Sequence, residues 1–137
     1  MSKKSLFICV TLTVAIGSGS LFASDANQKI SPADGKGMYS SYCAPCHGVN
    51  GKGNTPIASS LKRTPPDLTM LSRNNHGVYP SERVIGVIGH GTSTSGHDRS
   101  EMPDWAATLA TIDQNNKLAT PLRISNLSKY LETLQSK

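Results

Sequence analysis

Cys43-Ala44-Pro45-Cys46-His47 restricts this chain more than any other stretch. Two thiols three positions apart fall within one helical turn, and an imidazole follows at once. That set matches covalent attachment of haem c. Each S–H adds across one of the two vinyl groups of a porphyrin, and His47 then lies under the ring with a nitrogen towards iron. Other uses of a Cys-x-x-Cys pair fit less well. A zinc site needs four ligands, and outside an N-terminal leader the chain offers only these two cysteines, with His76, His90 and His97 as its other histidines. A thioredoxin-like redox pair needs a βαβ framework, and the sequence has no strand periodicity. A disulfide between residues three apart is strained.

The leader is legible. Met1-Ser2-Lys3-Lys4 is a basic start, Leu6 to Ile16 an apolar run, and small residues follow with cleavage candidates at Ala23 and Ala26. An apolar run of about eleven residues is shorter than the about twenty that cross a bilayer. The reading is a secretory signal peptide over 1–23, a mobile tail over 24–30 and one domain over 31–137, with an uncleaved membrane anchor as the alternative. Cys9 lies in the leader. Loss of Lys3 and Lys4 takes the formal charge from +5 to +3. No basic run or aromatic-interleaved patch points to nucleic acid, and no membrane span is expected after cleavage. Mild basicity favours an acidic docking surface on a protein partner. A periplasmic location suits the cysteines, because exported thiols oxidise unless haem takes them up.

The periodicity is helical. Ser31-Pro32-Ala33-Asp34 reads as a helix start, with Ser31 as cap and Pro32 in the first turn. Gly35, Tyr39 and Cys43, each four apart, share a face of that helix. Gly costs about 1 kcal/mol relative to Ala within a helix, so Gly35 implies close approach of another element. The partner is a C-terminal helix capped by Thr120, led by Pro121 and carrying Leu127, Tyr130, Leu131 and Leu134 at helical spacing. Ser81 to Ile88 is a short helix with Val84, Ile85 and Ile88 on its apolar side and Gly89 or Gly91 at its end. Asp104 caps another from Trp105 to Ala110. The stretches between are rich in Gly, Pro and Ser; Pro66 keeps Pro65 extended. The fold class is all-α.

A second axial ligand is sought among Met102, Met70, Met38, His76, His90 and His97. Met38 shares the attachment helix and points away, and Met70 follows His47 too closely for the chain to wrap a porphyrin. Met102 lies 55 residues past His47, in a polar segment stiffened by Pro103. Its soft thioether favours Fe(II) and raises the reduction potential. His97 is the alternative, and would give a lower-potential bis-His site.

Gly35-x3-Tyr39-x3-Cys43-x2-Cys46-His47, the later Met102-Pro103-x-Trp105 and the terminal Leu127-x2-Tyr130 resemble class I cytochrome c, in particular small bacterial periplasmic monohaem members and the cytochrome modules of terminal oxidases. The resemblance implies three to five short helices and long loops around one covalent haem, with the N- and C-terminal helices crossing. It implies that the carbonyl of Pro56, nine residues after His47, accepts the far imidazole proton, and that Trp105 or Arg99 meets a haem propionate. The function it implies is one-electron transfer between a donor and an acceptor protein, by a monomer or by a haem subunit docked to a dehydrogenase or oxidase. A peroxidase-like or gas-binding protein with an open sixth position is the rival.

At 36% hydrophobic and 5% aromatic residues, the chain is thin for a self-sufficient core, since a domain near this size buries only about two thirds of its unfolded surface. The porphyrin supplies the missing apolar volume. Circular dichroism of the haem-free polypeptide is therefore expected to show little native-like helix, and a cooperative thermal melt of that form would contradict the reading.

Overall fold

Asp34 starts the first helix, three residues later than the sequence pattern predicts. In a computed structural model that describes residues 30–91, 102–112 and 116–136, helix α1 spans Gly35–Met38, and the Asp34 carboxylate accepts from the Gly37 N–H at 2.7 Å. An acid there also meets the positive end of the helix. Ser31 caps a tight turn instead: its hydroxyl accepts from Ala33 N–H at 3.3 Å and its carbonyl from Asp34 N–H at 3.0 Å. The leader over 1–23, the tail short of Ile30, His97 and Arg99 lie outside the described residues.

The helical run continues through a wide π turn, Tyr39–Cys43, into α2, Ala44–His47. In the π turn Ala44 N–H reaches back five residues to the Tyr39 carbonyl. Pro45 gives a reason for the widening: it has no N–H to close onto Ser41, and its ring crowds that carbonyl. Gly48, at φ +78°, then ends the run. Four further helices follow among the described residues: α3 Pro56–Ser60, α4 Ser81–His90, α5 Trp105–Ile112 and α6 Ala119–Thr133, with single 3₁₀ turns at Leu68–Met70 and Arg73–Asn75. No strand is present among them. Asp104 caps α5 through Ala107 N–H at 3.0 Å.

Some expected boundaries shift. Ser81 is the first residue of α4, not its cap, and Gly91 at φ +66° ends it. Thr120 and Pro121 fall inside the first turn of α6, where the N–H that Pro121 lacks would have no partner within the helix. On α4, Val84 and Ile88 are buried but Ile85 is exposed, because residues one apart on a helix diverge by about 100°.

Helix α1 packs directly on α6. A Cβ added at Gly35 would land on the Asn126 carbonyl oxygen and 3.2 Å from the Tyr130 Cβ. One turn on, the Tyr39 and Tyr130 rings meet at 5.2 Å between centroids and 48° between planes. The approach is fastened from α6 by side chains that reach the lead-in to α1. Arg123 Nη1 donates to the Ile30 carbonyl at 2.7 Å, and Asn126 Nδ2 to that of Pro32 at 3.0 Å. Ile30, read from sequence with the tail, is thus tied to the core. Met38 is fully buried beside Arg123. Helices α4 and α5 pack on the rest of α6.

Two glycines separate packing from propensity. Gly35→Ala forces α1 off α6 and is expected to destabilise the haem-loaded protein by about 1–3 kcal/mol. Gly86→Ala, in α4 with open space around its Cβ, is expected to stabilise it by about 0.4–1 kcal/mol. Urea midpoints of the two variants check both signs.

Candidate haem-binding site

The helices enclose a cavity of about 710 Å³, within the range of about 300–1,000 Å³ typical of cofactor sites. Cys43, Cys46 and His47 line it from the helical run, and Met102, Pro103 and Trp105 from the segment entering α5. Val84, Val87 and Ile88 of α4 contribute apolar wall, as do Leu127 and Leu131 of α6. Tyr42 and Trp105, both lining residues, stack at 5.8 Å and 39°, joining the motif helix to the Met102 segment.

The motif is held by its own carbonyls. Tyr39 Oη donates to Gly48 O at 2.6 Å, Gly53 N–H to His47 O at 2.8 Å and Thr55 Oγ1 to Cys46 O at 3.3 Å. Gly53, at φ +70°, carries the loop back over the chain, and a Cβ there would press on the Pro65 carbonyl. Leu68 N–H donates to Gly51 O at 2.7 Å. Asp67, whose carboxylate accepts from the Thr69 hydroxyl at 2.7 Å and the Thr69 N–H at 2.8 Å, is held below its ordinary pKa by those two bonds and fixes the next turn. Together these contacts lay Pro65-Pro66 along the motif.

Of the prolines, Pro66 lines the cavity together with His47, and Pro56 does not. Burial lowers the His47 pKa, and the Pro66 carbonyl partly raises it again. Nδ1 is buried with no acceptor in hydrogen-bond geometry, so the ring feels the carbonyl without completing the bond. Pro56 sits exposed at the start of α3, and its carbonyl accepts from the Ser59 and Ser60 hydroxyls at 2.6 and 3.5 Å. The resemblance selected Pro56 by its distance from His47; the glycine loop lays Pro65-Pro66 along the motif instead.

Of the methionines named from sequence, Met102 alone lines the cavity; Met38 is in the core and Met70 lies on a 3₁₀ turn. His76 and His90 are exposed and off the cavity lining. Trp105 lines the cavity, whereas Arg99 is outside the described residues. The lining also holds cations that sequence reading missed in this role: Lys62, Arg63 and Arg83. Arg83 was legible in retrospect, four residues before Val87 on the same helix. Burial, with Cys46 beside it, pushes the Cys43 thiol up to about 12, and neither motif cysteine is in a disulfide.

A family model described as cytochrome C oxidase, cbb3-type, subunit III matches residues 31–120. The chain belongs to that family. It is a c-type cytochrome domain, with covalently attached haem c and electron transfer as its chemistry. The match to the cbb3-type subunit III family contains every lining residue except Leu127 and Leu131. No curated protein compared with the chain matches it. The donor set suits the group: two thiols for two vinyls, an imidazole that burial holds neutral, a thioether and an apolar wall. Among the described residues no cluster of His, Cys, Asp and Glu is arranged for a bare metal ion.

Tyr39 links site and fold in a pH-dependent way. Burial first, then Cys43 and Tyr130, raise its pKa from 10.0 to about 12. The fold favours the neutral phenol, so its contribution is complete below pH 10 and is lost as pH rises from about 10 to about 12. The urea midpoint of the haem-loaded protein is expected to fall as pH rises above 10, through the burial of Tyr39 and through its neighbour Tyr130, since Cys43 carries no charge once it is a thioether. Tyr39→Phe should fall less over the same range.

Proposed function

We propose that the chain is a periplasmic monohaem electron carrier in which Cys43 and Cys46 form the two thioether bonds and His47 and Met102 take the two axial positions. One observation carries the reading: both thiols, the imidazole and the Met102 thioether line a single cavity. Bound haem supplies one iron centre that alternates between Fe(II) and Fe(III).

The chain's residues tune and shield that centre. Burial keeps His47 neutral, which leaves its lone pair available, and the Pro66 carbonyl adds basicity to the ring. Met102 is a soft donor that raises the reduction potential, and Pro103 stiffens the segment that carries it. With both axial positions filled from the protein, no substrate coordinates; this separates the carrier from a peroxidase-like or gas-binding protein. Val49, 82% exposed, and Ile57, 49% exposed, flank the motif in sequence with Lys52 and Lys62, both exposed. A small apolar contact with nearby cations suits brief encounters with an acidic redox partner.

The family description favours a second form of this reading, the same relay working as a haem subunit docked to a terminal oxidase. Among the described residues no helix is long and apolar enough to cross a membrane, so such docking would rest on the protein surface or on residues beyond those described.

Met102→Ala tests the axial assignment. The parent is expected to be low-spin with a far-red iron–sulfur band; the variant should lose the band, turn high-spin and drop in potential. An unchanged spectrum would assign the sixth position to another residue. Co-purification with an oxidase, against recovery as a free monomer, separates the two forms.

A further inference from the structure

The two aromatic pairs among the described residues join different things. Tyr39 on Tyr130 fastens α1 to α6. Tyr42 on Trp105 joins two walls of the cavity: both rings line it, half-buried, with centroids 5.8 Å apart and planes at 39°. That separation is inside the range of about 4.5–7 Å over which aromatic rings attract. Tyr42 directly precedes Cys43, and Trp105 follows Met102 by three residues. The pair therefore ties the side that carries the thiols to the side that carries the thioether.

Each ring is rooted in a stiff stretch of chain. Tyr42 stands in the π turn, whose first residue, Tyr39, is buried and bonds the Gly48 carbonyl at 2.6 Å. On the other side, Pro103 has a fixed φ. The Asp104 carboxylate accepts from the Ala107 N–H at 3.0 Å, and its carbonyl from the Thr108 hydroxyl at 3.0 Å. Leu109, four residues past Trp105 and on the same face, is fully buried. Met102 and Trp105 thus ride on one short unit, and what holds the indole holds the residue that bears the sulfur. Holding matters because a thioether is a soft donor, better matched to Fe(II) than to Fe(III). Against a nitrogen donor on ferric iron, the sulfur competes through the local concentration that the chain imposes on it.

We propose that the Tyr42–Trp105 pair is a strap that keeps the Met102 sulfur at the sixth position of ferric haem and so closes that position to small neutral nitrogen ligands. Tyr42 and Trp105 are positioning residues in this role. The proposal rests on the axial reading of Met102. With the strap broken, an incoming lone pair replaces that of sulfur, and no electron or proton moves. The pair would then be what separates a carrier from a protein that binds small ligands.

The test titrates the ferric haem-loaded protein with imidazole at about pH 8, where an imidazole is neutral. The readout is the concentration at which half of the far-red iron–sulfur band is lost. Tyr42→Ala and Trp105→Ala are each expected to lower it about 2- to 10-fold, and Tyr42→Ala should add nothing in the Trp105→Ala background. Trp105→Phe, which keeps a ring and loses the indole N–H, should stay close to the parent. Ile124→Val, in the core but off the cavity lining, should lower the urea midpoint and leave the imidazole midpoint unchanged. A Tyr42→Ala midpoint equal to the parent's overturns the proposal, whether or not the Trp105→Ala protein accumulates with haem. Equal shifts in Ile124→Val and Tyr42→Ala also overturn it, because the effect would then be general loosening. A parent without the far-red band overturns the axial reading of Met102 itself, and the strap with it.

Discussion

Everything around the cavity depends on how closely α1 approaches α6. Gly35 lies where any side chain would strike the Asn126 carbonyl and Tyr130, so the contact is made by backbone. It is fastened on the lead-in side by Arg123 and Asn126, each bonding a carbonyl ahead of α1. With that contact set, Tyr39 packs on Tyr130 and its hydroxyl reaches Gly48, directly after His47. The helix crossing and the orientation of the motif are therefore one mechanical unit. The π turn between them shifts the register of Cys43 relative to Gly35 and Tyr39, a shift that the spacing of residues along the chain does not reveal.

The second support comes from the loop after the motif. Gly51 and Gly53 adopt conformations that side chains resist, and in doing so bring Pro65, Pro66 and Leu68 alongside the motif. A backbone carbonyl thereby reaches the vicinity of a buried imidazole without a charged residue being spent there. Left without a group to fill it, the partly open cavity of about 710 Å³ would leave its apolar walls to water, in line with the expectation from composition that the chain alone has little apolar material.

Local chemistry made much of this visible in advance. The Cys-x-x-Cys-His run specifies its ligand by bonding requirements alone, and Met102 stood out by its distance from His47 and its polar neighbours. Gly35 announced a close crossing because glycine within a helix is otherwise a loss. The errors have a common form. Ser31, Ser81 and Thr120 look like caps, yet none caps its helix; ahead of α1, Arg123 and Asn126 hold the lead-in segment and Asp34 is the cap. Ile85 has the apolarity of its neighbours but faces outward, because the direction of α4 is set by what it packs on. Pro56 was named from the resemblance by its distance from His47, and its carbonyl is instead bonded by Ser59 and Ser60.

What the sequence by itself determined is the cofactor, its mode of attachment and an all-helical chain, since these follow from bonding groups a few residues apart. What only the tertiary structure decided is which distant groups meet: Pro66 near His47, Trp105 on Tyr42, and Arg83 on the wall of the same cavity. The physical reason is that residue spacing fixes geometry within a turn or two of helix. Beyond that, the path of the chain depends on glycine conformations and helix contacts whose outcome is set by the packing of the whole domain.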